Sequence, residues 1–399
     1  MKKISTFCLL VCSHVALAKN LFIQTEQLNH QQLPETERSA MLAQVNEAML
    51  AEGSKQFDLQ LPNGMQVTAV TDRVKHHGKN RFSWFGHLLG QPEEQLFISV
   101  VSGHYAGSLY TKSGTFEFSS ADQQVMRIAE LETTAFPDCD GEEPAAWSQA
   151  KQQGVPTVKS GGTIEFDVMV LYTPQARAGA GGTLAIEATA QAAVDAMNLS
   201  FSNSNVDAEG TMTHTQILGY NDTGNSSTDL SWLQGDSYVD ELRTAYGADM
   251  VAMLVESMGG CGRGYVMRTP GAGFADFAVQ VTRRSCAVGN LSFAHEFGHN
   301  MGLEHNPEDS SATSATASYP WSFGHYHNGE YRTVMSYSAQ CASGCTRRQY
   351  FSNPNVQFNG LDTGVANTRD NARSLDLTAS IVSAFQVPAN DTIFEDSVE

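Results

Sequence analysis

Residues 295–305 read His-Glu-Phe-Gly-His-Asn-Met-Gly-Leu-Glu-His. Histidines four apart share one face of a helix, so His295 and His299 can offer imidazole nitrogens to a single metal ion. Glu296 falls beside that metal, where a carboxylate can take a proton from water. Gly302 lets the chain leave the helix through a conformation closed to bulkier residues, and this returns His305 as a third ligand. Three neutral nitrogens at about 2.0–2.1 Å leave one tetrahedral position open, which separates catalytic zinc sites from closed structural ones. Zinc held in this way lowers the pKa of water to about 7 and polarises a carbonyl, which is the chemistry of amide hydrolysis. The pattern therefore predicts one Zn2+ as cofactor. A calcium requirement is not readable from the sequence.

With this chain's own His, Glu and Gly frequencies, the five-position pattern arises by chance in fewer than roughly one in ten thousand such chains. H-E-x-x-H-x-x-G-x-x-H resembles the signature of the metzincin metallopeptidases. Thr333-Val334-Met335-Ser336-Tyr337 resembles the Met-turn of that family. The resemblance implies Met335 as a floor beneath the three histidines and Tyr337 as a hydroxyl that helps stabilise the oxyanion of the transition state. Phe166 to Pro174, Phe323 to Tyr326, Phe351 to Pro354 and Asp370 to Arg373 look most like bacterial reprolysin-like enzymes, including the peptidyl-aspartate metallopeptidases. The likeness covers roughly residues 160–386. Asn306 stands after the third histidine, where astacins and reprolysins usually carry Glu and Asp. His325 and His327 lie outside the ligand pattern and read as cleft wall or surface.

Elements that could position this site follow from the pattern upstream. Thr163 to Tyr172 is a buried-type strand, Ala185 to Phe201 an Ala-rich helix, Thr211 to Gly219 a strand and Asp229 to Tyr246 a helix with Asp229 near its cap. Asp249 to Val255, Gly264 to Arg268 and Phe277 to Thr282 are three further strands. The order implies an α/β fold: a twisted, mostly parallel five-stranded sheet with helices, an active-site helix and a Met-turn. The run Gly259-Gly260-Cys261-Gly262-Arg263-Gly264 matches no nucleotide-binding register and opens no helix.

Residues 19–159 read as a separate β-rich domain and linker. A helical stretch is expected over Glu35 to Glu52. Strands follow at Phe57 to Val70, Arg81 to Leu88, Gln95 to Val101, Gly107 to Thr111 and Thr115 to Phe118. Cys139 to Gly162 reads as a linker into the catalytic domain at 160–386, and 387–399 as an acidic tail. Lys2-Lys3, the apolar run Ile4 to Val15 and Ala16-Leu17-Ala18 fit a signal peptide over residues 1–18, and hence a secreted protein.

Export changes how the seven cysteines are read. Cys8 and Cys12 leave with the signal, and five remain, an odd number in a disulfide-forming compartment. The segment from Gly103 to Cys139 resembles a reprolysin prodomain with a cysteine shortly before the junction, which implies that Cys139 occupies the open zinc position in a zymogen. Cys261, Cys286, Cys341 and Cys345 then form two disulfides. Sequence allows three pairings, and 261–286 with 341–345 is the one adopted.

A formal net charge of -19 and the lack of any basic stripe exclude nucleic acid as partner. No later stretch approaches the about 18 to 20 apolar residues of a membrane span, and a monomer acting on proteins or peptides is expected. From residue 160 onward 11 Arg face 26 Asp plus Glu and there is no Lys, a balance of 11 - 26 = -15. An acidic preference, as the peptidyl-aspartate resemblance implies, would thus need an arginine, and Arg332, Arg347 and Arg348 flank the Met-turn. The competing reading is a catalytically silent, zinc-stabilised extracellular binding protein or adhesin.

Overall fold

The computed structural model describes residues 20–50, 55–145, 162–341 and 344–386. The expected signal peptide, most of the expected linker and the expected acidic tail lie outside these residues.

The N-terminal domain is a single antiparallel sheet of nine strands. They are β1 (Phe22–Gln27), β2 (Glu37–Val45), β3 (Gln56–Gln60), β4 (Gln66–Gly78), β5 (Arg81–Leu88), β6 (Gln91–Val101), β7 (His104–Tyr110), β8 (Thr115–Asp122) and β9 (Val125–Leu131). Their order is β1-β2-β9-β8-β7-β6-β5-β4-β3, and the ends nearly meet where the Leu21 N–H donates to the Asp58 carbonyl at 3.1 Å. The inside of this curl is filled by Trp84, Leu96, Ile98, Leu109 and Phe116 among others.

Residues expected as one helix, Glu35 to Glu52, form β2 and a 3-10 turn at Glu47–Met49 instead. Ala, Met, Leu and Gln favour helix locally, but β2 is paired on both sides and sends Met41, Ala43 and Val45 into the barrel core. Packing overrides propensity here. In β6 the alternation divides two cores: Leu96, Ile98 and Val100 point inward, while Phe97 and Val101 join the core of the following domain.

That domain is built on β11 (Ile164–Tyr172), β12 (Ala208–Ile217), β13 (Met250–Val255), β14 (Gly262–Val266) and β15 (Val279–Arg283), with β10 (Glu143–Pro144) added at one edge. The order is β10-β14-β15-β13-β11-β12, parallel throughout except that β14 runs antiparallel to β15. Helices α1 (Pro174–Gly179), α2 (Thr183–Asn203), α3 (Ser226–Gly235), α4 (Ser237–Ala245), α5 (Ser292–Asn300) and α6 (Asn371–Val382) surround it. The helix expected over Asp229 to Tyr246 is two, because Asp236 turns out of the helix and caps α4 through the Tyr238 and Val239 amides. Asn225, not Asp229, caps α3. The linker expected from Cys139 does not begin there, since residues 139–145 run along β14, with Glu143 and Pro144 paired to it.

Helix α2 is buried on nearly every side, wedged between the β11–β13 sheet and strands β6 and β7 of the first domain. Its Asp195 carboxylate accepts hydrogen bonds from Ser83 and Ser99, and Glu187 pairs with Arg81. One hydrophobic cluster therefore spans both domains.

Candidate active site

Helix α5 carries the first two histidines, and its placement follows from side chains on its other faces. Asn300 donates to the carbonyls of Tyr265 and Val279, pinning the helix to β14 and β15. Gly298 faces Met335, whose Sδ would lie 2.5 Å from an added Cβ. The glycine lets the Met-turn close directly under the helix, and Met335 is fully buried. Gly302, at φ +88°, ends the helix in the left-handed region and redirects the chain to His305.

The three rings converge. His299 Nε2 and His305 Nε2 are 3.0 Å apart, and His295 Nε2 lies 3.2 Å from His305 Nε2. His295 Nδ1 sits 2.8 Å from the Val334 carbonyl and His299 Nδ1 2.8 Å from that of Leu303. A carbonyl only accepts, so each Nδ1 carries the proton and each Nε2 presents a lone pair. Burial holds all three rings below the usual imidazole pKa, hence neutral. Neutral lone pairs aimed at one another repel unless a cation lies between them. The donor set thus fits a metal, and the Nδ1 partners are those that orient metal-bound histidines.

Cys139 comes from the other domain to the same point. Its Sγ is 3.3 Å from His305 Nε2 and 2.6 Å from Tyr337 Oη. Cys139, His295, His299 and His305 offer ligand atoms within 4.8 Å of one another and could hold one metal ion. Burial, then the Glu296 carboxylate, pushes the thiol well above its usual pKa. Burial likewise raises the Tyr337 phenol, so it remains a donor. The Tyr337 amide is fixed by Asn306 Oδ1 at 3.0 Å, which gives the residue after the third histidine a structural task.

Glu296 is fully buried, and neither carboxylate oxygen has a hydrogen-bond partner. Burial raises its pKa well above the usual carboxylate value, while Arg347 and Arg263 oppose that rise. The glycine run finds its use here. A Cβ at Gly262 would fall 2.6 Å from Glu296 Cγ, and one at Gly264 would meet the Glu296 carbonyl at 3.0 Å. Two glycines on β14 make the space in which this carboxylate sits.

The segment around Cys139 lies in the cleft. The Cys261 amide donates to the Asp138 carbonyl at 3.1 Å and the Asp140 amide to that of Gly262 at 2.8 Å, after which β10 pairs in parallel with β14. Glu142 reaches Arg268 at 2.6 Å and lies 3.6 Å from His305 Nδ1, while Arg268 also grips buried Glu304. None of the roles of Asp138, Glu142, Arg268 or Glu304 follows from a motif.

Cys261–Cys286 and Cys341–Cys345 are the two disulfides, and Cys139 is the free cysteine among the described residues. His325 and His327 lie outside the metal cluster. Arg348 points away from it, donating to the Thr111 carbonyl of the first domain at 2.6 Å.

Residues 162–352 match the model of metallo-peptidase family M12. The matched residues are a reprolysin-like metallopeptidase domain. Residues 18–134 match the BamI lipocalin-like domain, in keeping with the curled sheet. A peptidyl-Asp metalloendopeptidase of Xanthomonas campestris pv. campestris is 29% identical over 377 residues, 87% of this chain and 86% of that protein. One of Stenotrophomonas maltophilia K279a is 28% identical, over 86% of this chain and 85% of its own length. Among solved structures, metalloproteinase-II from Bacteroides fragilis aligns with 66% of the chain and 85% of its own, at TM-score 0.39 and 11% identity. The metallopeptidase acts on peptide bonds of proteins and requires a metal. No helix among its described residues is long and apolar enough to cross a membrane.

Proposed function

We propose that this metalloendopeptidase is a zinc enzyme exported as a latent zymogen, with residues 19–159 as the inhibitory prosegment. The observation that carries the reading is the convergence of three imidazole lone pairs and a thiol beside a buried, unbonded carboxylate. Three nitrogens and a sulfur in a closed cluster suit zinc, and two disulfides suit an oxidising compartment.

When bound, the metal supplies Lewis acidity to the scissile carbonyl and acidifies water. Glu296 takes the proton from that water and delivers it to the leaving amine. Burial raises its pKa, which strengthens the carboxylate as a base. Tyr337, once Cys139 has left, turns its hydroxyl from the thiol to the developing oxyanion. Met335 and Gly298 keep the histidine platform level. Cys139 occupies the position that water needs, so latency and catalysis exclude one another. The relatives' names support a preference for aspartyl sites.

An uncommitted Glu296 carboxyl weighs against a silent binding protein, because a buried polar group with no partner is costly to keep without a use. Glu296→Gln should retain one zinc per chain while casein hydrolysis falls by 10³-fold or more. Retained hydrolysis would reject the mechanism. Cys139→Ser should speed the appearance of activity after the prosegment is cut, and an unchanged rate would reject the latch.

A further inference from the structure

Fully buried arginines are rare unless paired, yet two lie beside the metal cluster in a strongly acidic chain. Arg332 is 1% exposed and spends its donors on the carbonyls of Ser336 and Cys345, at 2.6 and 3.3 Å. Arg347 donates to the Asn290 carbonyl at 2.9 Å, and its buried Nε has no partner. Burial presses both guanidiniums toward the neutral form, and Asp138 opposes this in each. The Asp138 carboxylate lies 3.6 Å from Arg332 and accepts from the Ser338 hydroxyl at 3.2 Å and the Ser338 amide at 3.4 Å.

The other cleft arginines differ. Arg268 keeps the carboxylate of buried Glu304 when residues 138–145 depart, so its charge stays matched. Arg263 pairs with Glu143 at the more exposed end of the cleft. Removing Asp138, by contrast, leaves Arg332 with carbonyls alone and Arg347 with Glu296 as its nearest remaining carboxylate influence. A vacated pocket with a hydroxyl, an amide and two guanidiniums has the donors of a carboxylate receptor.

We infer that Arg332, Arg347 and Ser338 form the pocket that reads an acidic side chain of the substrate next to the scissile bond, and that Asp138 fills it in the latent chain. The inference rests on the peptidase reading of the metal site and gives the acidic preference its residues. Asp138 and Cys139 then act as adjacent plugs, one in the recognition pocket and one at the metal. Two of the three arginines flanking the Met-turn are retained as candidates, and Arg348 is removed because it serves the domain interface.

The test uses processed enzyme and two peptides identical except for Asp or Asn at one position, with kcat/KM measured on both. Charge-assisted hydrogen bonds predict a preference for Asp of roughly 100-fold, cut about 10-fold or more by Ser338→Ala and by Arg347→Gln. Ser338 is the milder site and stands if the Arg347 variant does not fold. Full preference in folded Ser338→Ala overturns the pocket, as does equal cleavage of both peptides by the wild type. Cleavage of neither peptide by zinc-loaded wild type overturns the peptidase reading and the pocket with it. A readout free of turnover comes from the full chain: Asp138→Asn should speed iodoacetamide labelling of Cys139, located by mass spectrometry, by roughly 10-fold or more. An unchanged labelling rate overturns the assignment of Asp138 as the plug.

Discussion

Gly262→Ala tests the space that holds Glu296. The added methyl would sit 2.6 Å from Glu296 Cγ and 2.7 Å from Cδ, and would also collide with Oε1. Ordinary contact begins near 3.4 Å, so the carboxylate must retreat by close to 1 Å, because β14 is held by β15. A misplacement of about 1 Å at a reacting group costs roughly 100-fold, or about 2.7 kcal/mol of barrier. Overpacking adds about 1–3 kcal/mol of destabilisation. The histidines stay in place, and metal content should remain one per chain. Kinetics on a fluorogenic peptide should therefore give kcat reduced roughly 100-fold with KM little changed. Gly235→Ala is the control, since a Cβ there meets nothing within 4 Å. Wild-type kcat in Gly262→Ala would refute the view that these glycines exist to seat the base.

Two further perturbations probe the scaffold. Replacing Cys261 and Cys286 by Ser removes a cross-link spanning 25 residues and should lower unfolding free energy by about 3 kcal/mol, against about 2 kcal/mol for Cys341 and Cys345, which are 4 apart. Denaturant titration measures both, and the reverse order would contradict loop length as the cause. The second concerns Glu117, which accepts from the Gly289 amide across the domain interface, with Glu37, Arg127 and Arg284 around it. Burial raises its pKa from 4.5 to about 7. Docking of the N-terminal domain is thus favoured by the protonated acid, fully below pH 4.5, and weakens as pH rises through about 7, by on the order of 2 kcal/mol for a partly exposed group. His77, lowered by burial, pulls the other way in acid. In nicked protein, the slope of domain affinity against pH should differ between wild type and Glu117→Gln over pH 5–7, and identical slopes would reject the contribution.

The metal platform was legible because its residues lie within one helix and its exit turn, where spacing alone determines which side chains meet. A mostly parallel sheet was legible from the alternation of strands and helices, though not its strand order. The acid pocket was not: Asp138 and Ser338 are 200 residues apart, and packing alone brings them together. Arg332, Arg347 and Arg348 looked alike in sequence, and only burial and partners separate the first two from the third. The glycine run was visible but mute, since its purpose is an absence of atoms opposite a helix. Glu35 to Glu52 misled because helix-forming residues were recruited to a strand paired on both edges.

The wedge of α2 between the two domains has a temporal consequence. Phe85, Phe97, Val101, Ala106 and Tyr110 bury themselves in the catalytic core, an apolar seam that favours retention of the severed domain. If residues 19–159 are the proposed prosegment, scission beyond residue 145 would start a clock and leave the cleft shut. Activity should follow cleavage with a lag set by the half-life of the nicked complex. Digestion of the detached barrel would shorten that lag, so the first molecules to ripen would hasten the rest.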